Sequence, residues 1–227
     1  MVEVTPTGTR RRGRPPATDS ADTRQNIFDC ARRLFAERGY GAVTNKDLAQ
    51  AAGITTGALY HYVDSKLDLY VEVHRDMQRR VYGRFIDASA SSDTFIGKLD
   101  GVLEAAHELN LEDPTLALFI GTVRTDMRRF PEVAERLERS VAGRDDFFAS
   151  IVDAGVASGE VRPVDRELVV EFVRILLIGL TEGGSESPEH HRRAIDSIRA
   201  LLRNELIVDV SEPAGEHRDA ERGEQHS

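Results

Sequence analysis

The stretch Thr44-Asn45-Lys46-Asp47-Leu48-Ala49-Gln50-Ala51-Ala52-Gly53-Ile54-Thr55-Thr56-Gly57-Ala58-Leu59-Tyr60-His61-Tyr62 has room for two short helices and one tight turn. Thr44 and Asp47 have the spacing of a capping box, in which each side chain accepts from the other residue's backbone N–H. Leu48, Ala49 and Ala52 then form an apolar stripe, and Gly53 takes the positive φ that turns the chain. Thr55 or Thr56 caps the second helix, whose Leu59 and Tyr62 point back to the core shared with Leu48 and Ile54. Ala49 is small where the two helices must cross. The pattern reads as a helix-turn-helix, and spacing alone leaves a plain αα-hairpin open beside it.

Outward from this motif the pattern stays helical. Upstream, Ile27, Phe28, Ala31, Leu34 and Phe35 share one face of a helix over 22–39, opened by the Asp22/Gln25 pair and stopped at Gly39. Downstream, Ser65-x-x-Asp68 opens a long helix through Leu69, Val73, Met77 and Val81. Further helices are expected over 93–110, from Pro114, over 131–158, after a cap at Asp165, and from Ser187-Pro188-Glu189 to about residue 208. No segment has strand periodicity. The fold class is all-α, with a three-helix helix-turn-helix domain over 22–66 and a C-terminal helical domain over 67–208. Residues 1–21 are rich in Thr, Pro, Gly and Arg without apolar periodicity and read as a flexible basic arm; residues 209–227 read as a disordered tail.

Composition removes several classes. A chain of 227 residues can bury a sizeable core, and an aromatic content of 6% with no Trp suits helices better than a β-sandwich. The apolar run 175–180 includes Gly179 and falls far short of the roughly 18 residues of a membrane span. The N-terminus lacks the apolar segment of a secretory signal, and Cys30, the sole cysteine, cannot form an intrachain disulfide. A cytoplasmic protein with no membrane partner is expected. The net charge of −9 hides an asymmetry: residues 1–66 carry ten Lys/Arg against seven acids, a balance of +3, so the remainder holds −12. One end suits a polyanion that the rest repels.

The run from Gly53 to Lys66, with the lead-in Ala31-Arg32-Arg33-Leu34-Phe35-Ala36-Glu37-Arg38-Gly39-Tyr40, resembles the signature of the TetR family of bacterial helix-turn-helix transcriptional repressors. The resemblance covers about the first seventy residues. Val63 stands where the family usually has Phe, a change of packing between apolar residues. The resemblance implies a homodimer on double-stranded DNA with a palindromic operator, and a C-terminal domain that holds a small-molecule inducer.

Each residue then receives a role. A recognition helix over 55–62 enters the major groove, with Thr56, Gly57 and His61 as readers of base edges. Thr44, Thr55, Tyr60 and Lys66 serve as phosphate clamps, the two threonines capping their helices as well. The recognition helix contains no Lys or Arg, so a bidentate guanine contact must come from Lys46 or from the arm. There Arg10, Arg11, Arg12 and Arg14 form an Arg-Gly-Arg-Pro context that resembles an AT-hook core; a solvated basic tail giving salt-sensitive attraction is the alternative.

One short recognition helix reads a few base pairs, so two copies must be held a helical repeat apart. Surplus apolar residues near the C-terminus, Phe172, Ile175, Leu176 and Leu180 with Ile195, Ile198 and Leu202, are the expected dimer interface. For the inducer pocket, Leu103, Leu118, Phe119, Phe148 and Ile151 supply apolar walls and His107, Thr122 and Arg124 polar points. An apolar inducer is the expectation. Competing readings are an architectural DNA-binding protein without an inducer, and an enzyme. The sequence has no P-loop, nucleophile elbow or zinc-type Cys/His set, and the vicinal His190 and His191 on an expected exposed helix face different ways, so no metal or cofactor is expected.

Overall fold

The computed structural model describes residues 17–138, 144–183 and 187–206, and every regular element among them is helical. The order is α1 (Ala17–Ala42), α2 (Asn45–Ala51), α3 (Thr56–Leu59), α4 (Lys66–Ser89), α5 (Phe95–Glu112), α6 (Thr115–Arg129), α7 (Pro131–Glu138), α8 (Arg144–Ser158), α9 (Arg166–Gly183) and α10 (Pro188–Leu202). A 3₁₀ turn, Pro163–Asp165, leads into α9. The arginines proposed for the arm, Arg10, Arg11, Arg12 and Arg14, and the tail over 209–227 lie outside the described residues.

The capping logic holds at four expected starts, where Thr44, Thr55, Ser65 and Ser187 each accept a backbone N–H three residues on, and Thr94 caps α5 in the same way. Outside the helix-turn-helix, boundaries differ from expectation in three helices. Helix α1 starts at Ala17, five residues before Asp22, and Gly39 breaks it with φ 76° while Tyr40–Ala42 resume the helix. The expected single helix over 131–158 is two, because α7 packs on α4 and α6 whereas α8 packs on α5 and α9, two directions that one rod cannot serve. Finally, α10 stops at Leu202 instead of reaching residue 208: Asn204 adopts φ 57° and the Glu205 N–H returns to the Ala200 carbonyl at 2.9 Å.

One core runs through both halves. Phe35 of α1, Tyr70 of α4 and Phe119 of α6 pack with ring centroids 4.8 to 6.5 Å apart. Helix α4 belongs to both domains, so the boundary near residue 66 divides function more than packing. Arg32, which the apolar pattern of α1 left unassigned, is 2% exposed and reaches Asp113 at 2.6 Å, Asp29 at 2.9 Å and Thr115 at 3.3 Å. It ties α1 to the α5–α6 corner. Removing one partner strands a buried guanidinium, so Asp113→Ala is expected to cost on the order of 3 kcal/mol in urea unfolding, with Asp29→Ala costing less because that carboxylate is more exposed.

Candidate DNA-binding surface and effector cavity

The helix-turn-helix is built as its sequence implies. Thr44 Oγ1 accepts from the Asp47 N–H at 3.2 Å, and the Thr44 N–H donates to the Asp47 carboxylate at 2.9 Å. Gly53 has φ 69°, the Ile54 N–H donates to the Ala49 carbonyl at 2.9 Å, and Thr55 Oγ1 accepts from the Ala58 N–H at 3.1 Å. Leu48, Ala49 and Leu59 are buried where the helices cross, and Val63 is buried beside them. The recognition helix is shorter than expected. Helix α3 is a single turn, Thr56–Leu59, and the chain tightens to i→i−3 bonds at His61 and Tyr62, because Val63 must turn into the core before Ser65 caps α4.

On the outside stand Thr44, Lys46, Thr55, Gly57, Tyr60 and His61, all exposed, with Thr56 half-buried. A side chain at Gly57 would meet nothing nearer than Thr55 Oγ1 at 3.9 Å, so this backbone is open to close approach. The Tyr60 hydroxyl accepts from Asn45 Nδ2 at 2.7 Å, so its own proton is not used in that bond. Asn45 was not anticipated; its place at the start of α2, facing the end of α3, is a tertiary fact.

Two expected phosphate clamps are committed elsewhere. The Thr44 hydroxyl donates to Asp47 at 2.6 Å besides accepting from it, so its observed role is the cap. Lys66 Nζ donates to the carbonyls of Tyr40 and Val43 at 2.8 and 2.9 Å and sits 4.2 Å from the centroid of the Tyr40 ring. It is a half-buried strut under the motif, and desolvation lowers its pKa against the pull of Asp126 and Glu132.

Between α4, α5, α6 and the C-terminal helices lies a cavity of about 460 Å³, large enough for a drug-sized molecule. Tyr82, Phe85 and Phe148 give it aromatic walls, and Met77, Ile120 and Leu177 aliphatic ones. Its polar points include His74, Gln78, Asn110, Arg124, Thr181 and His191. Of the residues expected here, Arg124 and Phe148 line it. Leu103, Phe119 and Ile151 are fully buried in the core instead, and Leu118 is 41% exposed. Thr122 faces α1, 3.1 Å from the Ala36 carbonyl. The reason is helical phase: α6 shows the cavity Leu116, Ile120, Val123, Arg124 and Met127, while Phe119 and Thr122 face α1 and α4.

His107 stands behind the wall. Its Nδ1 lies 3.1 Å from Nδ1 of His191, with the rings 13° from parallel, and both residues are buried. The expectation of an exposed His191 is therefore wrong: it occupies the apolar face of α10 with Ile195, Ile198 and Leu202. Burial holds both imidazoles below their ordinary pKa, His191 at about 4, with His107 and Arg192 adding to the effect there. On the same helix as His107, Glu104 accepts from Arg192 at 2.6 Å and from Arg199 at 3.1 Å, and these bonds lower its pKa to about 2.

The expected dimer residues divide. Phe172 and Ile175 are 40% and 60% exposed and continue a stripe with Leu168 of the same apolar helix and with Val164, which lies before it in the 3₁₀ turn. Leu180 and Ile195 are buried in this chain's own core, and Leu176, Ile198 and Leu202 are half-buried against it. Helix α9 is apolar on two sides, and Val173, Leu177 and Leu180 take the inner one.

Residues 27–73 match the family model described as bacterial regulatory proteins, tetR family. Over 167 residues the chain is 30% identical to the HTH-type transcriptional repressor KstR2 of Rhodococcus jostii, covering 70% of this chain and 80% of that protein. The chain belongs to the TetR family. It is a DNA-binding transcriptional regulator, and solved TetR-type structures share its fold. KstR2 of Mycobacterium tuberculosis, a ketosteroid transcriptional regulator, superposes with TM-score 0.61 at 23% identity over 80% of this chain and 93% of that one. FadR of Bacillus subtilis, solved in complex with stearoyl-CoA, gives 0.66 at 21% identity over 81% and 99%. Among the described residues of this TetR-family protein no helix is long and apolar enough to cross a membrane.

Lys46→Ala should reduce the slope of log K against log[salt] for DNA by about one, as loss of one phosphate contact does. Lys66→Ala should leave that slope alone and cost about 2 kcal/mol of folding stability, because its cation satisfies two carbonyls. For the imidazoles, the unfolded chain binds more protons than the native one between the folded pKa of His191, about 4, and the ordinary histidine value, about 6.5. Stability is therefore full above that window and falls as the pH drops through it, by up to about 1.4 kcal/mol per pH unit for each proton. Urea titrations across the window should show a shallower decline for the His107→Gln/His191→Gln double variant than for the wild type.

Proposed function

We propose that this regulator is a homodimeric repressor that binds a palindromic operator and is released by a small apolar effector held in the cavity. The observation that carries the reading is the double duty of α6. One face of α6 lines the cavity through Ile120, Val123, Arg124 and Met127. From the opposite side the buried Asp126 carboxylate accepts from the Tyr40 N–H and the Tyr70 hydroxyl, both at 2.8 Å. Tyr40 follows the Gly39 break near the end of α1 and Tyr70 belongs to α4, the two helices that carry the DNA-binding motif. An effector that prefers a displaced α6 moves both attachments together. It needs a differential affinity of a few kcal/mol to shift the population of DNA-competent dimers.

In this reading Thr56, Gly57 and His61 read base edges, while Thr55 and Tyr60 hold phosphates; Lys46 joins them as a phosphate contact and not as the guanine reader first expected, because it stands on α2, the helix that crosses the backbone in such a motif. The exposed Val164, Leu168, Phe172 and Ile175 face their copies across a two-fold axis, since an apolar stripe this long on a monomer surface calls for a partner. That KstR2 relatives are repressors and that FadR was solved with stearoyl-CoA support the ligand-responsive half of the proposal. Selection of bound duplexes from random DNA by the full-length protein, at near-physiological salt, should enrich a palindrome. Ile175→Glu should give a monomer by light scattering and lose that enrichment. A palindrome selected equally well by a monomeric variant would reject the dimer, and binding without any enrichment would favour an architectural role.

A further inference from the structure

The polar groups of the cavity are distributed unevenly. His74, Asn110 and His191 are each less than 9% exposed and come from α4, α5 and α10, whereas Arg124 is half-buried and Glu138 is exposed. His107 and Asn110 are one turn apart on α5, so Asn110 and the His107-backed His191 share one stretch of wall. Among the described residues that stretch carries hydrogen-bonding groups and no fixed cation. The arginines nearest the pair, Arg192 and Arg199, are already bound to Glu104 and Asp100.

We propose that the effector is an uncharged, mainly apolar molecule whose carbonyl or hydroxyl oxygen hydrogen-bonds to His191 and Asn110. The inference rests on the cavity being the effector site, and it adds the chemical class. The Nδ1–Nδ1 contact requires one imidazole to donate and the other to accept. When His191 accepts at Nδ1, its Nε2 carries the proton and donates to a ketone. When His191 donates at Nδ1, Nε2 becomes an acceptor for a hydroxyl. Exchange of tautomers within the pair therefore serves either oxygen without a net charge. Asn110 adds a carbonyl and an amide in the same region. A carboxylate placed here would bury its charge against neutral partners, which is costly unless it takes up a proton first. The aromatic and aliphatic walls take the remainder of the molecule, and about 460 Å³ encloses a single drug-sized body.

The test uses the full-length protein and the neutral fluorophore N-phenyl-naphthylamine as the probe, displaced near neutral pH by methyl decyl ketone, dodecanol or dodecanoate. The ketone and the alcohol should displace it at concentrations at least about tenfold below the acid, the scale on which a site built for a hydrogen bond discriminates. His191→Phe should erase that advantage while retaining the fluorophore, and His191→Gln, which keeps a donor and an acceptor, should preserve most of it. Should His191→Phe fail to fold, Asn110→Leu tests the same wall. Equal or stronger displacement by dodecanoate would overturn the inference and leave the cavity reading standing, and its loss in Arg124→Ala would place the polar end at Arg124. No binding of the fluorophore and no displacement would overturn the cavity reading itself, and this inference with it.

Discussion

The carboxylate of Asp126 is 3% exposed, and its two hydrogen bonds come from a backbone amide beside a helix break and from a tyrosine on another helix. A buried carboxylate is tolerable only when such donors and a nearby positive charge offset its desolvation. Lys66 supplies the charge, and it donates to carbonyls at the end of α1 and in the α1–α2 connection. Tyr70 remains a proton donor because burial, then its bond to Asp126, raises its pKa far above the ordinary phenol range. Around this cluster Gly39 has no side chain to displace Asp126, and Gly41 leaves room for the Phe130 ring, which a Cβ would approach to 2.7 Å. The end of α1, the start of α4 and the C-terminal half of α6 are thus located by one polar contact set.

This arrangement explains how a motif of two short helices is held with precision. Helices α2 and α3 are seven and four residues long, too short to be stable alone. Their orientation is inherited from α1 and α4 through Leu48, Ala49, Leu59 and Val63 on the inside, with the Asn45–Tyr60 bond on the outside. Because α6 also forms part of the cavity wall, the same helix that fixes the reading head is exposed to whatever occupies the interior.

The C-terminal helices divide their apolar surface between two tasks. Helix α9 gives Val173, Leu177 and Leu180 to the core and leaves Leu168, Phe172 and Ile175 outside. Helix α10 is narrower in its allegiance: His191 and Ile195 are buried, and its arginines reach back to Asp100 and Glu104 of α5. A polar strap of this kind adds little stability where it is solvated, but it fixes the face of α10 that meets α5 and so the placement of the His107–His191 pair.

Local signals determined most of the architecture. Capping residues at Thr44, Thr55, Ser65 and Ser187, the positive-φ glycines Gly39 and Gly53, and the 3.6-residue apolar period suffice to place the helices and the helix-turn-helix, because each acts within a few residues of chain. Even Asp126 and His191 were visible in principle, as polar residues set in the buried stripes of α6 and α10. What they touch was not. Whether Lys66 meets phosphate or carbonyl, whether Phe119 lines a cavity or a core, and which of Leu180 and Ile175 stays exposed depend on how helices far apart in sequence are phased against one another. That phase is set by packing across the whole core, and a periodic pattern read along one helix gives the apolar side without saying what lies opposite it.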